Sequence, residues 1–401
     1  MHSAPCFRDC PLWTRTAYRC GVRSSLRWAA VLGVVLTLGA APAQAAPELP
    51  PITPSLQENQ ACRTASTVDT DELPWAQARL RPERAWTHTD GAGVTVAVLD
   101  TGVDGSSPAL TGKVLGAGQD CAGHGTFVAG ILAAAPRPGG GFAGIAPGAR
   151  VLSVPVTDRT GGTTAHALAT GIRTALAAGA RILQVSAAVT APAPELADAV
   201  AEAVTAGAVV IAPAAVAAGQ RPVAAYPAAC PGVVSVAAIT PRGTPMRTDL
   251  PDIRVDLAAP GAAITGVGPG GPGLFTASDD AVAAAMVSGA AALVRAYRPA
   301  LSGPEVVRRL KETAYPPAGG VPDPLLGAGV VDPAAAVVAE LLPGPAAPAV
   351  APAGARMPAP ADPHPGRLAG IVAAVAGALV ALVTLGAVVV PRARRRGWRA
   401  G

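Results

Sequence analysis

Between residues 89 and about 340 the chain alternates short apolar runs with alanine-rich helical ones, and that alternation narrows its fold more than any other feature. "GVTVAVLD", "ARVLSVPV", "ARILQVS", "GAVVIAPA", "GVVSVAAI" and "RVDLAAPG" read as strands. "GTFVAGILAAA", "TAHALATGIRTALAAG", "ELADAVAEAVTAG" and "AVAAAMVSGAAALVRAY" read as helices. A strand that is apolar at nearly every position has both faces covered, and strands separated by helices pair in parallel through crossovers. The expected class is α/β: three layers, with a mostly parallel central sheet flanked by helices. Half of the residues are hydrophobic but only 3% are aromatic, so the core must be built from Ala, Val, Leu and Ile.

The two ends carry topology. Residues 1–45 place basic residues before an apolar run, "WAAVLGVVLTLGAAPAQA", that closes on small residues. That is the pattern of a secretory signal cleaved before Ala46. Its basic region is long for such a signal, which leaves a true start codon downstream of Met1 as an alternative. Residues 369–390 form a second uncharged apolar run, long enough as a helix (~33 Å) to cross a bilayer core. The arginine cluster in 391–401 should hold that end in the cytoplasm, making a single-pass type I membrane protein whose main domain is extracytoplasmic. The chain's net charge of +5 resides in these two ends, and the middle carries about −4. No nucleic-acid surface is implied. Residues 46–88 read as an irregular N-terminal extension, 89–340 as the domain, and 341–368 as a Pro/Ala-rich semi-rigid spacer. Once the leader is gone, Cys62, Cys121 and Cys230 remain. In an oxidising compartment, one bridge and one spare thiol is the simplest arithmetic.

Two motifs carry chemistry. "VAVLDTGVD" ends a strand on Asp100, and "AGHGTFVAG" places His124 at the opening of a helix, where Gly125 allows close backbone approach. A buried carboxylate beside a histidine supplies the Asp–His half of a nucleophilic triad, the carboxylate fixing the tautomer and supporting the imidazolium. No cofactor is called for. A metal on Asp100 and His124 lacks a third placed ligand, so the metal expectation is none. His88, His166 and His364 have no motif around them, and Asp104 reads as a turn residue.

In this order, with "GIAPGARVLSVPV" following, the motifs resemble the subtilisin-like serine protease family over residues 75–335. The chain is most similar to the mycosins, membrane-anchored proteases associated with type VII secretion in actinobacteria. The features shared with that group are "PWAQARLRPERAW" before "GAGVTVAVLDTGVD", a cysteine close before the histidine, the Pro-rich spacer and the C-terminal anchor. The resemblance implies a subtilisin-like fold, a Cys62–Cys121 bridge, and the type VII secretion membrane complex as partner. It leaves Cys230 without its usual partner, as a buried free thiol.

The rest of the family's catalytic set is missing. Counting back from "MVSG", the nucleophile position is Ala281, and the Gly-Thr before it reads Asp279-Asp280. The oxyanion asparagine position is Val216, and the substrate-lining strand reads "QVSAAV" around Ser186. Without an Oγ at 281, His124 has no proton to remove, and Val216 offers no side-chain N–H to an oxyanion. Asp279 and Asp280 are expected instead to cap the helix that follows. Three readings result. The first is a pseudoprotease scaffold. The second is an active serine endopeptidase that uses another hydroxyl, Ser278 being the candidate and Ser288 a packing residue. The third is a receptor for an extended peptide.

Overall fold

The computed structural model describes residues 48–341, apart from 117, 138–140, 219–220 and 250–252, together with 374, 376–378 and 392. The expected leader, most of the spacer and nearly all of the membrane run therefore lie outside the described residues, as does His364. The chain divides into two units, Met1–Val337 and Val338–Gly401. The elements below belong to the first, except the last residue of the final helix.

In chain order, the elements begin with helices α1 (Trp75–Leu80) and α2 (Glu83–Trp86), strands β1 (Thr95–Asp100) and β2 (Val114–Leu115), and helix α3 (His124–Ala133). Strand β3 (Arg150–Pro155), helix α4 (Ala165–Ala177), strand β4 (Ile182–Val185), helix α5 (Pro194–Thr205) and strand β5 (Val209–Pro213) come next. A hairpin of β6 (Ala215–Ala218) and β7 (Arg221–Ala224) leads to β8 (Val234–Ile239) and β9 (Leu257–Pro260). A second hairpin, β10 (Ile264–Val267) and β11 (Leu274–Ala277), precedes α6 (Asp280–Tyr297), α7 (Gly303–Glu312) and α8 (Pro333–Val338).

Seven strands form one sheet in the order β2-β3-β1-β4-β5-β8-β9, and every pair in it is parallel. The period-two alternation of a strand explains the layers. Val96 and Val98 of β1 point into the core built with α3 and α6, whereas Ala97 and Leu99 point into the core built with α4 and α5. Residues 280–294 of α6 are all buried. Among the described residues α6 is the one helix long and apolar enough to cross a membrane, yet it is the core helix of the domain. Its run of alanines lets it lie close beneath the sheet.

The extension is less irregular than its sequence suggests. It holds α1 and α2, and its start is extended chain laid against β11. Ile52 N–H donates to the Thr276 carbonyl (2.7 Å), and Thr276 N–H donates to that of Pro50 (3.0 Å). Leu274 N–H donates to the Val68 carbonyl (2.7 Å). Ile52 and Leu56 are buried, and Cys62 is bonded to Cys121. Composition hid this because the stretch has no periodic apolar pattern; pairing with β11 substitutes for one.

Gly125 sets how closely α3 approaches β1. A Cβ there would collide with the Gly102 carbonyl oxygen, which is backbone and cannot rotate away. Gly125→Ala should cost about 3 kcal/mol or more, read as a fall in urea midpoint with unchanged slope; an unshifted midpoint would show that the two elements can part freely.

Candidate active site

Asp100 is the last residue of β1 and His124 the first of α3, so the sheet edge and a helix start bring them together. Both Asp100 carboxylate oxygens lie 2.9 Å from His124 Nδ1, and Oδ1 also accepts the Thr101 N–H (2.7 Å). The turn and the helix are fastened by Asp120, a buried carboxylate the motif reading passed over. Its Oδ1 accepts from Thr101 Oγ1 (2.7 Å) and Gly123 N–H (2.8 Å), and its Oδ2 from Thr126 N–H and Oγ1 (both 2.7 Å). Burial pushes its carboxyl above the usual range, against those hydrogen bonds. The available signal was its place, four residues before the histidine, where a helix start needs an acceptor.

The second ring nitrogen supplies the main surprise. His124 Nε2 lies 3.1 Å from Asp279 Oδ2. Asp279 is the N-cap of α6, with extended backbone, and its Oδ1 accepts the Val282 N–H at 2.7 Å. One side chain thus caps the helix and holds the ring. His124 is 1% exposed and Asp279 is 20% exposed. Burial alone works against a charged ring. The Asp100 and Asp279 carboxylates outweigh it and hold His124 well above its ordinary value. Asp279 moves the other way: burial opposes its ionisation, but His124 and the Val282 and Ala281 N–H groups keep its carboxyl below the usual range. The site is a carboxylate–imidazolium–carboxylate clamp joining β1, α3 and α6. A ring that donates both N–H groups has no lone pair to offer a hydroxyl.

Asp280 corrects the sequence expectation. It does not cap α6. Its side chain turns inward, accepting the Ala238 N–H (2.9 Å) and pairing with Arg247 Nε (3.0 Å). Burial pushes its carboxyl up to about 6, with Arg247 and the Ala238 N–H pulling it down. Successive residues at a helix start point in different directions, so only one of two adjacent aspartates can serve as cap.

Ala281 lies buried in the first turn of α6, and its carbonyl accepts from Gln184 Nε2 at 3.1 Å. Gln184 also reaches Ser186 Oγ (3.3 Å) and Ser288 Oγ (2.6 Å), tying Ser288 into a buried polar link between β4 and α6. Ser278 Oγ accepts the Ala263 N–H at 2.8 Å. Val216 stands in β6 opposite Val223 of β7, its side chain half-buried on the α4–α5 side of the sheet. Cys230 is a buried free thiol. Asp104 bridges loops, accepting the Ser106 and Gly270 N–H groups. His88 and His166 are exposed. Among the described residues no group of three or more His, Cys, Asp or Glu side chains is placed to hold a metal ion.

A seven-stranded parallel sheet with an Asp–His pair between a strand end and a helix start is a subtilisin-like serine-protease scaffold. The Peptidase S8 subtilase family profile matches residues 91–331, and the chain belongs to the subtilase family. Its relatives there include several mycosins. Mycosin-4 of Mycobacterium tuberculosis (strain ATCC 25618 / H37Rv) is 34% identical over 78% of this chain and 80% of its own length. Mycosin-1 of Mycolicibacterium smegmatis is 33% identical over 72% of this chain and 78% of its own. The crystal structure of MycP1 from Mycobacterium smegmatis superposes with a TM-score of 0.62 at 31% identity, covering 77% of this chain and 96% of that one. This is a mycosin-type subtilase.

Proposed function

We propose that the protein is a membrane-anchored component of a type VII secretion system that keeps the mycosin fold without cutting peptide bonds. It would serve as a scaffold or a peptide-binding part of the membrane complex, on its outer face. Support for the setting comes from relatives, among them a structure described as the serine protease MycP1, an essential component of the type VII (ESX-1) secretion system. Anchoring rests on the apolar run 369–390 with the arginine cluster behind it, and the nucleophile position of Ala281 and oxyanion position of Val216 rest on the count back from "MVSG" and on the strand that runs into Val216. One observation carries the inert reading: His124 Nε2, the atom that would deprotonate a nucleophile, faces the Asp279 carboxylate, and residue 281 has no hydroxyl.

The test is a fluorophosphonate probe and a panel of fluorogenic peptides applied to the purified full chain. The expected result is no serine labelling and no turnover above a heat-treated control. Labelling that disappears in Ser278→Ala would establish the competing reading, an active endopeptidase with a displaced nucleophile. Capture of an uncleaved extended peptide would select the binding role over the purely structural one.

A further inference from the structure

Away from the clamp, three arginines gather without a paired acid among the described residues. Arg79 lies in the last turn of α1, Arg81 ends that helix, and Arg84 lies in α2. Arg81 adopts left-handed backbone (φ 48°), uncommon for a residue with a side chain. That bend starts α2 within two residues and sets the three side chains around one corner. All three are exposed. Among the described residues none of them forms an ion pair, whereas Arg137, Arg173, Arg247, Arg254 and Arg308 each meet an acid.

The three arginines line a pocket of about 330 Å³ whose far wall is Tyr315, Val330, Val331 and Asp332. Tyr315 is 65% exposed, and the Arg79 guanidinium stacks over its ring at 5.5 Å. Its backbone is fixed by paired hydrogen bonds with Val330 (2.7 and 3.0 Å). Asp332 is the one acid in the lining, and its Oδ1 accepts the Ala335 N–H at the start of α8 (2.9 Å). Three positive charges and one negative therefore face a concave space.

We propose that this pocket docks an acidic peptide segment of a partner protein, a carboxylate side chain entering between the guanidiniums. Arginine's planar fork suits a carboxylate, and arginine and tyrosine are among the residues enriched at the energetic centres of protein interfaces. An anionic membrane would instead be met by a basic face with apolar side chains projecting from it. Here the lining is recessed, holds no lysine, and buries its apolar Val330 and Val331. The assignment is independent of whether the active site cuts.

The experiment uses the full chain in detergent micelles and the fluorescence anisotropy of labelled hexaglutamate, with hexaserine as the neutral control. The native chain should bind hexaglutamate and not hexaserine. The triple variant Arg79→Gln, Arg81→Gln, Arg84→Gln should weaken binding about tenfold or more, as expected for losing charge-assisted hydrogen bonds. A control carrying Arg159→Gln, Arg173→Gln and Arg242→Gln makes the same change in net charge elsewhere and should bind as the native chain does. Should the first variant melt early, Arg84→Gln alone serves the same comparison. Equal losses in the two triple variants overturn the site, as does absence of hexaglutamate binding. Tighter binding of dihexanoyl phosphatidylglycerol or inorganic phosphate through the same arginines overturns the peptide assignment.

Discussion

His124→Asn should lower stability by roughly 3–5 kcal/mol, a fall of about 6–20 °C in melting temperature for a domain of this size. The substitution removes the cation between two carboxylates and leaves Asp100 and Asp279 facing each other in a site where His124 is nearly sealed. In a working protease the same position serves chemistry, and stability lost on replacing it is small or negative. The pH dependence gives an independent readout. The folded-state pKa of His124 is raised, so folding binds a proton there. Its contribution is fully present below the ring's ordinary value of 6.5 and is lost as pH rises through the higher folded value. Asp279 is depressed, so its contribution is present above its ordinary 3.8 and is lost as pH falls further. Asp280, raised to about 6, runs oppositely: its contribution is fully present below its ordinary 3.8 and is lost as pH rises through about 6. The melting-temperature gap between native and His124→Asn chains should therefore narrow as pH is raised above 6.5. A gap that stays constant into the alkaline range, or one of less than about 2 °C, removes the clamp from the account of stability.

Ala281→Ser alone should leave peptidase activity at background. The new hydroxyl would meet a ring still donating to Asp279, with no asparagine at 216. Adding Asp279→Gly and Asp280→Thr releases Nε2 and gives the site a base, and adding Val216→Asn supplies an oxyanion donor. In subtilisin the nucleophile is worth about 10⁶-fold in kcat and the oxyanion donor about 10²–10³-fold. The fourfold variant should accordingly turn over peptide measurably, and reverting Asn to Val at 216 should lower kcat by about 10²-fold or more. If Ala281→Ser alone gave robust turnover, Asp279 would not restrain the ring. A folded but inert fourfold variant would place the defect elsewhere in the site.

What could be read from the sequence follows from what each feature depends on. The six core strands were legible because a strand covered on both faces is apolar throughout, a local property of "TVAVLD" or "VSVAAI". The β6–β7 and β10–β11 hairpins were not. The first, around Val216, is written in alanines without alternation, and the second is divided by a glycine-rich turn. Asp100 and His124 announced themselves through local motifs. The contact that dominates the site did not, because Asp279 lies 155 residues beyond His124 and only the tertiary fold sets the distance between them. Nor could spacing decide which of Asp279 and Asp280 caps α6; the choice rests on Ala238 and Arg247, which offer the second carboxylate a better partner inside.

The Cys62–Cys121 link changes what a nick in the extension would do. A protease that opened the chain between residues 63 and 75 would not shed the piece on its amino-terminal side. That fragment would stay tethered by sulfur and by its ladder to Thr276, with Ile52 still plugging its slot. Release would require reduction as well as hydrolysis, so a trimmed and an untrimmed molecule would share one outline until a thiol arrived.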